Sequence, residues 1–208
     1  MSNDPDFAKM RSAMIDSQLR PNTVTSDEVV AAFRAVKRED FVPRDMRAFA
    51  YLDEDMEVGA GRYMMEPLTL GRLLDRAAVK PGDRTLLIGD PTGYTAALLA
   101  EMGARVHLRE REGDVLSPAL GKYDIGREPD DKAGNYDLIF IEGLAENVPQ
   151  SLIAQVEDGG RIAAVILEHG SPRAAIGRVF GGHVGWNSFA DAYVAALPEF
   201  AKAREFTF

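Results

Sequence analysis

The sequence predicts an α/β fold in which a helical extension precedes a mostly parallel sheet and an antiparallel hairpin ends it. Three observations carry that prediction. Apolar runs at residues 85–88, 136–141 and 162–167 have the length and the Leu, Ile, Val and Phe content of strands buried on both faces. Helical stretches alternate with them, and strand–helix–strand repetition implies parallel pairing with right-handed crossovers. Near the end, alternating segments at 176–179 and 184–190 flank Gly181-Gly182, the pattern of a hairpin.

In chain order, Phe7, Met10, Met14 and Leu19 share one helical face, and Pro21 stops that helix. Thr25-Ser26-Asp27-Glu28 reads as a capping box opening a second helix, whose apolar residues include Val29, Val30 and Phe33. A third, short helix follows Pro43 through Met46 and Phe49, so the first sixty residues form a helical prelude. Pro67 suits the first turn of the next helix, which buries Leu70, Leu73 and Leu74. A turn at Pro81-Gly82-Asp83 leads to the strand at 85–88, a loop at 89–93, a helix at 94–102 and a strand at 105–109. A helix at 149–156 and a turn at Gly159-Gly160 separate the two later strands. Residues 111–135 leave room only for a vestigial strand near Tyr123-Asp124-Ile125, with 128–132 a solvated loop. No repeat or linker interrupts the chain, which reads as one domain: a helical extension at 1–62 and a core at 63–208.

Composition narrows the function. At 208 residues, 46% hydrophobic and 27% charged, the chain is ordinary for a globular protein. A net charge of −9 and no clustered Lys/Arg argue against nucleic acid. The absence of cysteine excludes disulfides, thiolate metal sites and cysteine catalysis. No signal-peptide pattern opens the sequence, and no apolar stretch nears the roughly 18 residues a membrane helix needs, so a cytoplasmic protein is expected. His107, His169 and His183 lack metal-ligand spacing, and Ser151, Ser171 and Ser188 lack a nucleophile-elbow context.

The chemistry-bearing pattern is Leu87-Ile88-Gly89-Asp90-Pro91-Thr92-Gly93-Tyr94. A loop leaving a parallel strand lies at the carboxyl edge of the sheet, where open α/β folds bind ligands. Glycine there permits close backbone approach. Glu110 ends the next strand, placed to accept hydrogen bonds from the ribose hydroxyls of an adenosine. Gly89, Asp90, Gly93 and Glu110 are therefore the candidate cofactor residues. The acidic run Asp53, Asp55 and Glu57 before Gly59 reads as a solvated loop.

A resemblance sharpens this. Met14-Ile15-Asp16-Ser17-Gln18-Leu19-Arg20, Phe41-Val42-Pro43, Ala50-Tyr51-Leu52-Asp53 and Gly59-Ala60-Gly61 before Pro67 resemble, in order and spacing, the N-terminal signature of protein-L-isoaspartate O-methyltransferases. Residues 136–165, with Gly159-Gly160-Arg161, are similar to the same family. The resemblance implies a Rossmann-like, seven-stranded S-adenosylmethionine-dependent methyltransferase fold. It implies methyl transfer from S-adenosylmethionine to the free carboxyl of isoaspartyl residues in damaged proteins. In that setting Gly89 and Gly93 admit the amino-acid end of the cofactor, Asp90 receives its ammonium and Glu110 holds the ribose. Tyr63, Met64, Met65 and Asp53 line the substrate pocket. The chain departs from the family at Leu87, where an acid is usual, and at Pro91, where a glycine is usual. Tyr63-Met64-Met65 replaces a Thr-Ile-Ser stretch, and the turn that recognises adenine after Glu110 is shortened. The Pro91 ring is expected to intrude on the cofactor's methionine portion. These departures leave two alternatives: a catalytically inactive methyltransferase-fold binding protein, or a methyltransferase acting on a different small substrate.

Overall fold

The computed structural model describes residues 5–128 and 135–202. Most of the 128–132 loop expected from the sequence therefore lies outside the described residues.

The prelude begins with α1 (Phe7–Met14), whose N-terminus is capped by Asp6 and whose path continues through a wider helical turn at Ile15–Leu19. Helix α2 (Asp27–Ala35) buries Val29, Val30, Ala32 and Phe33. Its cap is Ser26, one residue later than the box pattern suggested. The reason is tertiary: the Asp75 carboxylate takes the N–H groups of Thr25 and Ser26, at 2.9 and 2.7 Å, so no side chain need reach back to them. A short 3-10 helix at Arg44–Phe49 matches the third expected helix. The prelude is not wholly helical, however. Strands β1 (Met56–Gly59) and β2 (Arg62–Met64) form a small antiparallel hairpin, burying Met56, Val58, Arg62 and Met64 on alternating positions.

The core follows. Helix α3 (Pro67–Ala77) precedes β3 (Arg84–Ile88), α4 (Tyr94–Glu101), β4 (Arg105–Arg109) and the three-residue β5 (Ile125–Arg127). Then come β6 (Tyr136–Ala145), the single-turn α5 (Gln150–Ile153), β7 (Val156–Glu168), β8 (Ser171–Phe180) and β9 (His183–Asp191). The sheet order is β5-β4-β3-β6-β7-β8-β9, parallel through β7 and antiparallel beyond it. This is the mostly parallel sheet with a terminal hairpin that the sequence predicts.

Period-2 alternation divides the strands between two cores. Leu87, Leu138, Phe140, Ala163 and Val165 pack toward the prelude, α3 and α4. Leu86, Ile88, Ile139, Ile141 and Ile162 pack on the opposite face with Leu152, Ile153 and Phe200. Arg161, marked by the sequence within its Gly-Gly-Arg segment, is buried. It donates to the Ala77 and Ala78 carbonyls at the end of α3 and pairs with Asp83. That satisfies orphan carbonyls at the end of a buried helix and binds α3 to β7.

Candidate functional site

The carboxyl edge of the parallel strands gathers the loop after β3, the ends of β4 and β6, the β1–β2 hairpin and the C-terminal segment. The loop from Gly89 to Gly93 is buried throughout. Gly89 has φ +98°, and a Cβ there would lie 2.6 Å from the Glu142 carbonyl oxygen, so only glycine fits. Asp90 is fully buried, and its carboxylate accepts from the N–H groups of Thr92 (3.1 Å), Gly93 (2.7 Å) and Ala96 (2.9 Å). It thus caps the N-terminus of α4, where backbone N–H groups would otherwise be free. The sequence reading gave Asp90 to a ligand's ammonium; the structure spends its oxygens on the loop itself.

Residues 111–122 cross this loop as a strap. Val115 N–H donates to the Pro91 carbonyl at 2.7 Å, and Ser117 N–H to the Thr92 carbonyl at 2.8 Å. The Ser117 hydroxyl reaches the Asp40 carbonyl at 2.6 Å, and Asp114 pairs with Arg62 at 2.8 Å. Leu120 packs against Gly93. The shortened segment after Glu110 is therefore an ordered cover.

On one side of the strap lies a cleft of about 180 Å³ lined by Asp55, Arg62, Tyr63, Met65, Gly89, Arg111, Glu142 and residues 194–198, among others. On the other lies a shallower slot of about 220 Å³, where Leu108, Leu116, Leu120, Tyr123 and Ile125 face Glu110 and Arg127. Glu110 is exposed and pairs with Arg127 at 2.9 Å. The four cofactor candidates are thus not in one cavity. Gly89 opens on the cleft, Asp90 is internal, Gly93 is beneath Leu120, and Glu110 edges the apolar slot.

Of the substrate-pocket candidates, Tyr63 and Met65 line the cleft. Met64 is core, on the buried face of β2. Asp53 accepts from Leu68 N–H at 3.0 Å, in the first turn of α3, and so serves the helix end. Pro91 is buried beneath the strap and is not among the residues lining the cleft. Pro91→Gly is accordingly expected to cost about 0.4–1 kcal/mol through unfolded-state entropy. Ligand affinity should be unchanged, which differs from the intrusion the sequence alone suggested. Thermal unfolding and calorimetry of the two proteins side by side check both halves; a gain in affinity would restore the intruding ring.

Three residues that sequence reasoning missed dominate the electrostatics. Asp55, read as solvated, accepts from Glu66 N–H at 2.9 Å and Ala195 N–H at 2.7 Å, drawing the C-terminal segment over the cleft; burial raises its pKa. Arg38 is fully buried. It donates to the Ala50 and Met65 carbonyls at 2.7 Å each, and its guanidinium lies 5.0 Å from the centroid of the Tyr94 ring. Glu142, one residue beyond the β6 position that pairs with Ile88, is 2% exposed. Its Oε1 accepts from Met65 N–H at 3.2 Å, and its Oε2 has no hydrogen-bond partner. Burial, reinforced by the Asp90 charge, lifts the Glu142 pKa well above the usual range. Burial raises Asp90 too, while its three N–H donors pull the other way.

These residues fit the adenosyl–amino-acid ligand that the sequence resemblance implies, in two parts. The slot beside Glu110 has the apolar walls and terminal acid that suit a nucleoside. The cleft has a glycine permitting close approach and an orphaned carboxyl oxygen. No group of His, Asp and Glu suited to a metal occurs among the described residues, and no helix is long and apolar enough to cross a membrane.

Comparison with known proteins agrees with this architecture. The family model for protein-L-isoaspartate(D-aspartate) O-methyltransferase matches residues 9–111, the prelude through the end of β4. A protein-L-isoaspartate O-methyltransferase of Koribacter versatilis is 31% identical over 83% of this chain and 83% of its own. One from Methylorubrum extorquens is 31% identical over 76% and 74%. A Plasmodium falciparum chain assigned to the same activity, solved with S-adenosyl-L-homocysteine, superposes with TM-score 0.73 at 16% identity. The match covers 94% of this chain and 100% of that one. Another solved protein-L-isoaspartate O-methyltransferase gives 0.68 at 19%, covering 91% of this chain and 65% of that one. The structural matches share the fold, and the sequence matches run through prelude, loop and sheet alike: the chain belongs to the protein-L-isoaspartate O-methyltransferase family.

Proposed function

We propose that the protein transfers a methyl group from S-adenosylmethionine to the free carboxyl of isoaspartyl residues in damaged proteins. The observation that carries this reading is Glu110 at the end of β4, with an apolar slot on one side and the Gly89 cleft one strand away. The relatives' activity supports the same reaction. S-adenosylmethionine supplies an electrophilic methyl group when bound. The rest is alignment, because a carboxylate is already a nucleophile at neutral pH and needs no strong base. Glu110 would hold the ribose hydroxyls, exchanging Arg127 for them. Gly89 would let the backbone approach the amino-acid end. Tyr63 and Met65 would border the incoming carboxyl, and the Leu197 side chain, packed against Gly89 and Gly143, would keep water from it.

Glu110→Ala is expected to weaken S-adenosylhomocysteine about ten- to a hundredfold, since a hydrogen bond to a charged group is worth roughly 1.5–3 kcal/mol. Calorimetry on a folded variant measures it, and unchanged affinity removes Glu110 from the site.

One observation favours a second reading, a binding protein without turnover. The donors at the start of α4 are already taken by Asp90, and the loop carbonyls by the strap. In that case neither S-adenosylhomocysteine binding nor methyl transfer to an isoaspartyl peptide would be measurable.

A further inference from the structure

The cleft contains a carboxyl group that the reaction as described does not use. Glu142 stands beside Gly89 in β6, just beyond the pairing with β3, within a cleft whose walls include Tyr63, Met65, Arg62 and Arg111. Its Oε1 is satisfied by Met65 N–H and its Oε2 is unpartnered, an arrangement that burial makes costly. The polar groups facing it are the Thr95 hydroxyl, the Asp90 carboxylate and the Arg38 guanidinium. Arg38 already serves the Ala50 and Met65 carbonyls, and Asp90 already serves three backbone N–H groups. Among the described residues no cation is dedicated to Glu142, so its Oε2 is open to one brought by a ligand.

We propose that Glu142 is the acid that receives the ammonium of an α-amino-acid group bound in the cleft. This rests on the reading under Proposed function, in which that group is the methionine end of the cofactor. The residue stands on the strand beside Leu87 of β3, and its Oε2 is open where the Asp90 oxygens are engaged by the loop. Arg62 and Arg111 keep the wall beside it cationic: each pairs with one carboxylate, Asp114 and Glu199 respectively, and a guanidinium carries five donors. They suit the carboxylate of the same group. Burial holds the Glu142 pKa above the usual carboxylate range, and an ammonium beside it would pull the other way, so binding is expected to release a proton to solvent. The ligand's charged amine and the ionised carboxylate then form a charge-assisted pair.

The amino-acid group has two sources, the end of S-adenosylmethionine or a free amino acid, and calorimetry separates them. The probes are S-adenosylhomocysteine, 5′-methylthioadenosine, which lacks the amino-acid end, and free methionine. Glu142→Gln, which keeps shape but not charge, is expected to weaken S-adenosylhomocysteine at least tenfold and to leave 5′-methylthioadenosine unchanged. Wild type is expected to release a proton on binding S-adenosylhomocysteine at pH 7, seen as heats that vary with buffer ionisation enthalpy, and to bind more tightly as pH rises. The proton count on wild type decides the matter even should the variant fold poorly. Equal S-adenosylhomocysteine affinity in both proteins, or binding without proton release, overturns the proposal and leaves the methyltransferase reading standing. Methionine bound in a Glu142-dependent way without S-adenosylhomocysteine binding upholds the site and overturns the cofactor reading. Failure of both ligands to bind wild type overturns the two together.

Discussion

Asp90→Ala is expected to destabilise the protein by about 3–5 kcal/mol, a fall of roughly 6–20 °C in Tm for a chain of this size. The carboxylate is fully buried and holds three backbone N–H groups at 2.7–3.1 Å. Alanine would leave all three without acceptors, each costing about 1–3 kcal/mol, offset in part by relief of the charge's own burial. Asp90→Asn, which keeps one acceptor oxygen, should fall between. Thermal or urea unfolding checks the series. A Tm within a degree of wild type would mean that water or a rearranged loop serves those donors equally well.

Arg38→Ala is expected to cost a similar amount, about 3–5 kcal/mol, for a different reason. Arg38 is a buried cation close to several acids: it acts on Glu142 and Asp55 and lowers the pKa of Tyr94 against the burial that raises it. Removing it strands the carbonyls of Ala50 and Met65 and takes away the positive charge that favours ionisation of Glu142 and Asp55. Arg38→Lys retains the charge but not the fork that reaches both carbonyls, and should recover only part of the loss. If Arg38→Ala and Arg38→Lys unfold alike, charge contributes nothing and the geometry of the fork is everything.

The elements that the sequence predicts well are those whose own residues dictate them. Residues 85–88 and 136–141 are apolar enough to be buried whatever surrounds them, 105–109 alternates around Val106 and Leu108, and the paired glycines at 181–182 mark a hairpin turn by themselves. The β1–β2 hairpin was not legible, because Met56, Val58, Arg62 and Met64 give too short an alternation and bury an arginine only by pairing it with Asp114. The cap of α2 shifted by one residue because Asp75, some fifty positions away, took the donors. The site was legible in location and not in roles. Gly89 and Glu110 stand at the carboxyl edge as expected, but a buried Glu142 with one unpartnered oxygen looks in sequence like any other acid in a strand. Asp55 looks like part of a solvated acidic run until Ala195 is brought to it. Whether an acid faces a ligand or its own backbone depends on donors that the local sequence does not reveal, and Asp90 is the case in point.

The change of direction at β7 divides the sheet into halves with different folding costs. Strands β7, β8 and β9 follow one another through two-residue turns, so their pairing closes loops of minimal length and demands little chain entropy. The parallel half depends on distant partners: Arg161 reaches Ala77 across 84 residues, and the Asp55–Ala195 hydrogen bond that draws the tail over the cleft spans 140. Contacts of such separation are won late, after local pairing has shortened the effective loops. The terminal hairpin, which contributes little to the cleft, is thus the part of the sheet cheapest to close, and the edge that carries the cleft is the costliest.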